Sequence, residues 1–411
     1  EAEQKHLVWY GEYKPEYWTR FKDACKAFLD KLNASGGYSL VQADGTRPED
    51  YRLAYRTAYF DEGSSELIHS VHWLNKPGSS YNWYSWIGNT RSAYAVTQEY
   101  VEMFPWSDGT PFDWDKAEND GKLNQMFVTG DSVKGKTLLQ NVRLTRDPRL
   151  YETVIVNGGI PTLDWTTAAM TGTPYETWVG GSTGGKNSQD ESGSFATGYR
   201  NMKYSFSEYS GHGLQWATIR LSDVYLMYAE ALIQTNTSGN FKDAIEWIDK
   251  VRARVGMKGL VECNPDKDLL HNKELLMQEL FRERACELGF ENARYMDMVR
   301  YKMKSTFEKP LHGLRIYRMV KNPTTGKFER CNLQWYKASK GQTFTCSDGT
   351  KVKIAYKDGI QQPTVFEYEK FELNKGKRLW WSQGFDPKWY LTPFKTTEIN
   401  KGYGLVQNPG W

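Results

Sequence analysis

One run constrains this chain more than any other: Ile219-Arg-Leu-Ser-Asp-Val-Tyr-Leu-Met-Tyr-Ala-Glu-Ala-Leu-Ile233. Leu221, Tyr225, Tyr228 and Leu232 return at steps of four, three and four, the period of one apolar helix face. Ser222 stands where an N-cap belongs. Asn236 to Asn240 is polar, contains a glycine and predicts a turn. A second helix is expected from about Phe241 to Val255, striped by Ala244, Ile248, Val251 and Val255 and stopped by Gly256. Two helices joined by so short a turn form an antiparallel pair.

A third helix is expected from Asn272, with Leu276, Leu280, Phe281, Ala285 and Leu288 on its apolar side. Glu283, Glu287 and Glu291 follow at steps of four along one side of it, and Arg294, Asp297 and Arg300 at steps of three on what should be the next helix. Such a constellation serves either as a carboxylate or metal site or as an interhelical salt-bridge lock. The lock is favoured, because each acid has an arginine within reach and neither His nor Cys stands at metal-ligand spacing. The expected pairing is Glu287 or Glu291 with Arg294 or Arg300.

Three blocks now stand in order along the chain. The first is Arg220-Leu-Ser-Asp-Val-Tyr-Leu-Met-Tyr-Ala-Glu-Ala-Leu232. The second comprises Glu283-Arg284, Glu287-Leu288, Phe290-Glu291, Arg294-Tyr295, Asp297 and Arg300. The third is Tyr390-Leu-Thr-Pro-Phe-Lys-Thr-Thr-Glu-Ile399 followed by Gln407-Asn-Pro-Gly-Trp411. Together they resemble the RagB/SusD family, although its closing segment more often reads Pro-Ile-Pro where this chain has Thr392-Pro393-Phe394. The resemblance implies a surface-exposed outer-membrane lipoprotein of Bacteroidetes. It implies binding of a glycan, or sometimes a peptide, for a partner SusC-like TonB-dependent transporter. More helical chain normally precedes residue 1 in the family, so the N-terminal part, with its lipid anchor, is expected to be missing here.

The expected fold is mainly α: a helix-turn-helix, tetratricopeptide-like helical body with long irregular loops and a small antiparallel β insertion. As a single domain over 1–411 it divides into a helical body (about 16–60 and 216–303), a loop-rich ligand region (about 74–200), a β-rich insertion (about 304–377) and a C-terminal segment (378–411). Phe21, Cys25, Phe28 and Leu32 predict a helix from Glu16 to Ser35, ended by Gly36-Gly37. Shorter helices are expected over Pro48–Phe60 and Thr97–Phe104, and a strand over Ser65–Trp73. In the insertion, Leu314–Val320, Phe328–Tyr336, Lys351–Tyr356 and Thr364–Phe371 read as strands.

Composition narrows the function. A net charge of +3 without a Lys/Arg-rich run argues against nucleic-acid binding. No run of about 18 apolar residues predicts a membrane-spanning helix. Five cysteines contain no Cys-x-x-Cys pair. Cys25 and Cys286 fall on apolar helix faces, while Cys331 and Cys346 flank a predicted hairpin and are candidates for a bridge in an oxidising compartment. No nucleophile elbow, Walker loop or catalytic triad stands out, and no cofactor motif is present. The expectation is a binding protein and not an enzyme.

Aromatic residues reach 15%, with 16 Trp and 26 Tyr. Most should be core, but some crowd into segments with no period. Residues 76–90 hold Tyr81, Asn82, Trp83, Tyr84 and Trp86 among Pro, Gly and Ser. Residues 158–198, too long for an ordinary connection, hold Trp165, Tyr175 and Trp178. Rings in loops either tuck beneath them or stack on the apolar faces of sugars. The candidate ligand-binding set is Tyr81, Asn82, Trp83, Trp86, Trp165 and Trp178. Asn89, Arg91, Asp164, Glu176, Asn187 and Gln189 are possible partners for hydroxyls. A peptide ligand, a carbohydrate-active enzyme and a pure transporter cap are the alternatives.

Overall fold

The computed structural model describes residues 12–73, 95–129, 143–162, 167–172, 174–181, 183, 191, 195–204, 214–331, 342–354, 365–375 and 379–411. The signature run forms the helix Leu221–Thr235, and Lys242–Ala253 returns beside it. Leu226, Ala229 and Ile233 of the first helix share one core with Ile245, Ile248 and Val251 of the second and with Leu276 and Leu280 of the helix Lys273–Glu287. On its other side the signature helix meets Cys25, Leu29 and Leu32 of the helix Glu16–Ser35. A helix covered from both sides has to be apolar nearly all round, which is why its sequence is so distinctive. Gly36 ends the first helix in the left-handed region (φ 68°), its N–H donating to Leu32 O at 2.8 Å.

Ser222 is not the N-cap. Arg220 takes that position, and the strand Leu214–Arg220 runs directly into the helix. The Leu221 N–H is satisfied by Glu66 O at 2.9 Å across the strand pair. Ser222 is buried in the first turn, accepting from Arg220 Nη1 at 2.6 Å. A tertiary contact thus does what a local cap does elsewhere.

Antiparallel strands form at the expected places, and Leu214–Arg220 is a further one that the sequence did not predict. Leu67–Trp73 pairs with Leu214–Arg220. A three-stranded sheet runs in the order Val365–Glu372, His312–Lys321, Phe328–Cys331. Gln342–Thr345, a strand not foreseen, pairs with Lys351–Ile354. The strand His312–Lys321 is no isolated flap: Leu314 and Ile316 are buried with Val96, Phe104, Phe127, Leu150, Tyr151 and Trp178. Cys331 and Cys346 are both buried and do not form the bridge. No helix among the described residues is long and apolar enough to cross a membrane.

Candidate functional site

Of the six expected ligand-binding residues, Tyr81, Asn82, Trp83, Trp86 and Trp165 lie outside the described residues, as do Asn89, Arg91, Asp164, Asn187 and Gln189. Trp178 is described and overturns its assignment. It is 1% exposed and sits in the main core, its ring 5.6 Å from Phe366 and 5.9 Å from the Arg318 guanidinium. The backbone beside it explains the burial: Val179 N donates to Ile316 O at 2.8 Å, drawing the segment under the sheet. Glu176, also expected to meet ligand, is 1% exposed and equally enclosed.

The acidic stripe is a lock, with partners other than those expected. Phe290 (φ 61°) and Asn292 (φ 68°) turn the chain through the left-handed region, and the helix Ala293–Arg300 that follows meets Arg284 of the preceding helix through Asp297 at 2.8 Å. Glu287 instead accepts from Arg149 at 2.9 Å, Arg220 at 2.5 Å and Arg254. Glu291 pairs with Arg220 at 2.9 Å and Lys203 at 2.5 Å, and Glu283 with Arg149 at 2.6 Å and Arg252 at 3.4 Å. Glu66 and Asp147 complete the cluster. The cations Arg149, Arg220, Arg252, Arg254 and Lys203 therefore face the same number of carboxylates, and no side chain of the cluster is more than 6% exposed. Each charge is paired and hydrogen-bonded, as burial demands.

This balance sets a pH dependence. Burial raises the Glu287 carboxyl, but Arg254, Arg220 and Arg149 outweigh it and hold the group well below its usual 4.5. Glu291, lowered by Arg220 and Lys203 against burial, and Glu152, lowered by Arg56 and Arg52 against burial, shift the same way. A carboxyl with a depressed folded pKa contributes stability above its unfolded pKa, and that contribution is lost as pH falls through the folded value. The melting temperature is therefore expected to hold down to about pH 5 and to fall steadily below about 4.5. A melting series from pH 7 to 3 checks this; a flat profile would mean that these acids are not ionised in the fold.

Arg300 joins a separate pair, reaching Glu230 at 2.6 Å and Asp297 at 2.7 Å. Glu230 and Asp297 are each about 1% exposed, whereas the Arg300 side chain is 36% exposed. Arg300→Ala is expected to cost about 2 kcal/mol, from buried acceptors left with fewer donors, and to leave ligand affinity alone. Thermal melting beside a binding titration measures both.

A pocket of about 590 Å³ opens where the helix Trp114–Asn119, the 3₁₀ turn Leu123–Gln125 and the strand pair Val128–Thr129/Arg143–Leu144 meet the turn at Trp106–Thr110. That volume is in the range of small-molecule sites. The turn is firmly seated. Gly109 has φ +94°, and a Cβ there would meet Arg252 Nη2 at 2.6 Å and Cys263 Sγ at 2.9 Å, so only glycine fits. Arg252 Nη2 donates to Gly109 O at 3.0 Å and Lys258 N to Asp108 O at 3.2 Å. Trp106 forms an antiparallel bridge with Arg146, and its half-buried ring lies 5.3 Å from Phe112. Behind both rings, the Arg146 guanidinium stands 3.8 Å from the Phe112 centroid. It donates to the carbonyls of Val101, Phe104 and Pro105, the negative end of the helix Gln98–Met103. Burial pulls Arg146 down to about 10, so it stays charged at neutral pH.

The polar groups of this pocket are not used up by the fold. Asp108 spends Oδ1 on Thr110, at 2.9 Å to N and 2.6 Å to Oγ1. Asp113 spends Oδ1 on Lys116 N at 2.7 Å, capping the short helix. Among the described residues their Oδ2 atoms, the Gln125 amide and the Lys116 ammonium take no partner, and Lys122 lies 3.6 Å from Asp120. In the sequence, Asp108-Gly109 marks a turn and nothing more. The overlooked signal was Trp106, a large ring set directly before it. Elsewhere, Glu329, Cys346 and Asp348 bring ligating atoms within 4.8 Å of one another. The acids there already serve turn backbone at Ser347 N (2.7 Å) and Thr350 N (2.9 Å).

The SusD family model matches residues 55–411. No curated protein matches the chain. Among solved structures, a SusD-like protein from Bacteroides fragilis NCTC 9343 superposes with a TM-score of 0.56 at 21% identity, over 95% of this chain and 62% of that one. The protein BT4246 superposes with a TM-score of 0.57 at 18% identity, over 97% of this chain and 65% of that one. The chain thus spans less than two thirds of the length of either protein. With the signature helix, the locked acidic stripe and the closing segment all inside the matched region, this chain belongs to the SusD family.

Proposed function

We propose that this chain is a non-catalytic glycan-binding protein of the outer cell surface, lipid-anchored in its full-length form. It captures an oligo- or polysaccharide and passes it to a SusC-like TonB-dependent outer-membrane transporter. Membership of the SusD family over residues 55–411 supports the class. The observation that carries the reading to a binding site is the pocket at Trp106, where an aromatic wall stands beside unspent carboxylate, amide and ammonium groups. Those are the groups that hold a sugar: the ring takes its apolar face and the polar atoms its hydroxyls. Glu287, Glu291 and Glu152, whose carboxyls are held below their usual range, are enclosed against cations inside the fold. There they cannot act as general acid or base on a ligand. A glycan-array screen of the purified chain, with product analysis of every bound oligosaccharide, tests this. Binding without shortened products is expected. Turnover abolished by mutating one carboxylate would make it an enzyme, and silence across the array would remove the glycan reading. Recovery of a transporter from native membranes with the full-length protein tests delivery.

A further inference from the structure

We infer that the Trp106 pocket is a subsite for an uncharged saccharide, with Trp106 as its platform and Gln125, Asp108 and Asp113 as its hydroxyl partners. This rests on the glycan-binding reading above and names where and what kind of sugar is held.

A ring that stacks on ligand must be rigid before ligand arrives, because ordering it later costs affinity. Trp106 meets this condition. Its N–H donates to Thr110 O at 2.9 Å, the Gly109 N–H returns to Trp106 O at 2.8 Å, and Ser107 N donates to Thr145 O at 2.9 Å. Phe112 backs the ring. Trp106 packs one side against the main core and keeps the other partly open at the pocket, in contrast to Trp178 at 1% exposure.

Asp108, Asp113 and Asp120 line the pocket against Lys116 and Lys122. Arg146 adds one positive charge behind the rings, so the site is close to neutral overall. Recognition of a sulfated or uronic sugar calls for a bidentate guanidinium or clustered cations facing the ligand. Here Arg146 Nε and Nη2 are spent on backbone carbonyls, and Lys122 is drawn to Asp120 at 3.6 Å. What is left open is a mixed set of acceptors and donors: Asp108 Oδ2, Asp113 Oδ2, the Gln125 amide and the Lys116 ammonium. Such a set pairs with vicinal hydroxyls, each of which both donates and accepts.

The test is isothermal titration of the purified chain with two probe groups. One holds neutral hexasaccharides: cello-, malto-, manno- and xylo-oligomers. The other holds anionic oligomers of chondroitin sulfate and polygalacturonate. At least one neutral probe is expected to bind, with affinity falling at least tenfold in Trp106→Ala and severalfold in Gln125→Ala. Trp106→Phe should recover part of the loss. The Gln125 side chain is exposed and makes no hydrogen bond among the described residues, so Gln125→Ala should melt like the parent and exclude a folding artefact. Neutral binding that survives both Trp106→Ala and Gln125→Ala overturns this inference while the glycan reading stands. Binding of the anionic probes alone overturns the charge argument. Failure of every probe, together with a silent glycan array, overturns the inference and the glycan reading together.

Discussion

Glu287→Gln is expected to cost about 3–5 kcal/mol of stability, the typical loss when one partner of a buried ion pair is removed. Glu287 is fully buried, and three guanidiniums converge on its two oxygens: Arg149 on Oε2, Arg220 and Arg254 on Oε1. The amide keeps the shape but withdraws one negative charge from a site where cations and carboxylates balance. It also turns one acceptor into a donor that faces other donors. The three arginines cannot reach water without opening the interface between the helix Lys273–Glu287 and the strand that ends at Arg220. Chemical denaturation should show the midpoint moving with an unchanged slope, the mark of altered stability in an unaltered fold. An unmoved midpoint would mean that the cluster is held neutral and that its role as a lock is wrong. Adding Arg220→Met to Glu287→Gln should cost less than the sum of the single changes, because the two residues share one interaction.

Trp178→Ala carries a similar expected loss, about 3–5 kcal/mol, for a different reason. The ring is buried among Leu150, Tyr151, Leu314 and Ile316, where the neighbours cannot collapse into the space it leaves. A cavity at that position loosens the contact between residues 174–181 and the strand His312–Lys321. The folded fraction should still bind any glycan that the parent binds, since Trp178 is out of reach of solvent. Melting and titration of the same preparation separate the two effects. A protein that melts normally but has lost binding would return Trp178 to the ligand surface.

The helices were legible because their evidence is local. Glu16–Ser35 and Pro48–Phe60 appear at the residues where period and punctuation set them. Asn272 and Thr97 cap their helices, accepting from Leu275 N and Tyr100 N. Charge pairing was legible only in kind. That the acids every fourth residue after Glu283 would need cations followed from their place on an apolar helix. Which cations they take did not follow. Arg149 is 138 residues from Glu287, and Arg220 is 67 away; nothing in the spacing along one helix reports what a distant strand delivers to it.

The same division runs through the ligand surface. Trp106 and Trp178 are equivalent in sequence terms, single large rings in loops beside glycine. One is covered because the strand His312–Lys321 hydrogen-bonds to its neighbour Val179. The other stays open because Gly109 seats its turn beneath it on Arg252. By itself the sequence determined the helical periods, their ends, the family blocks and the need for paired charge, since each depends on neighbours within a few residues. Only the tertiary structure decided which ring is buried, which arginine meets which carboxylate and where the pocket opens. Those outcomes depend on which distant segments are brought together, and burial belongs to the assembled surface, not to any one stretch of chain.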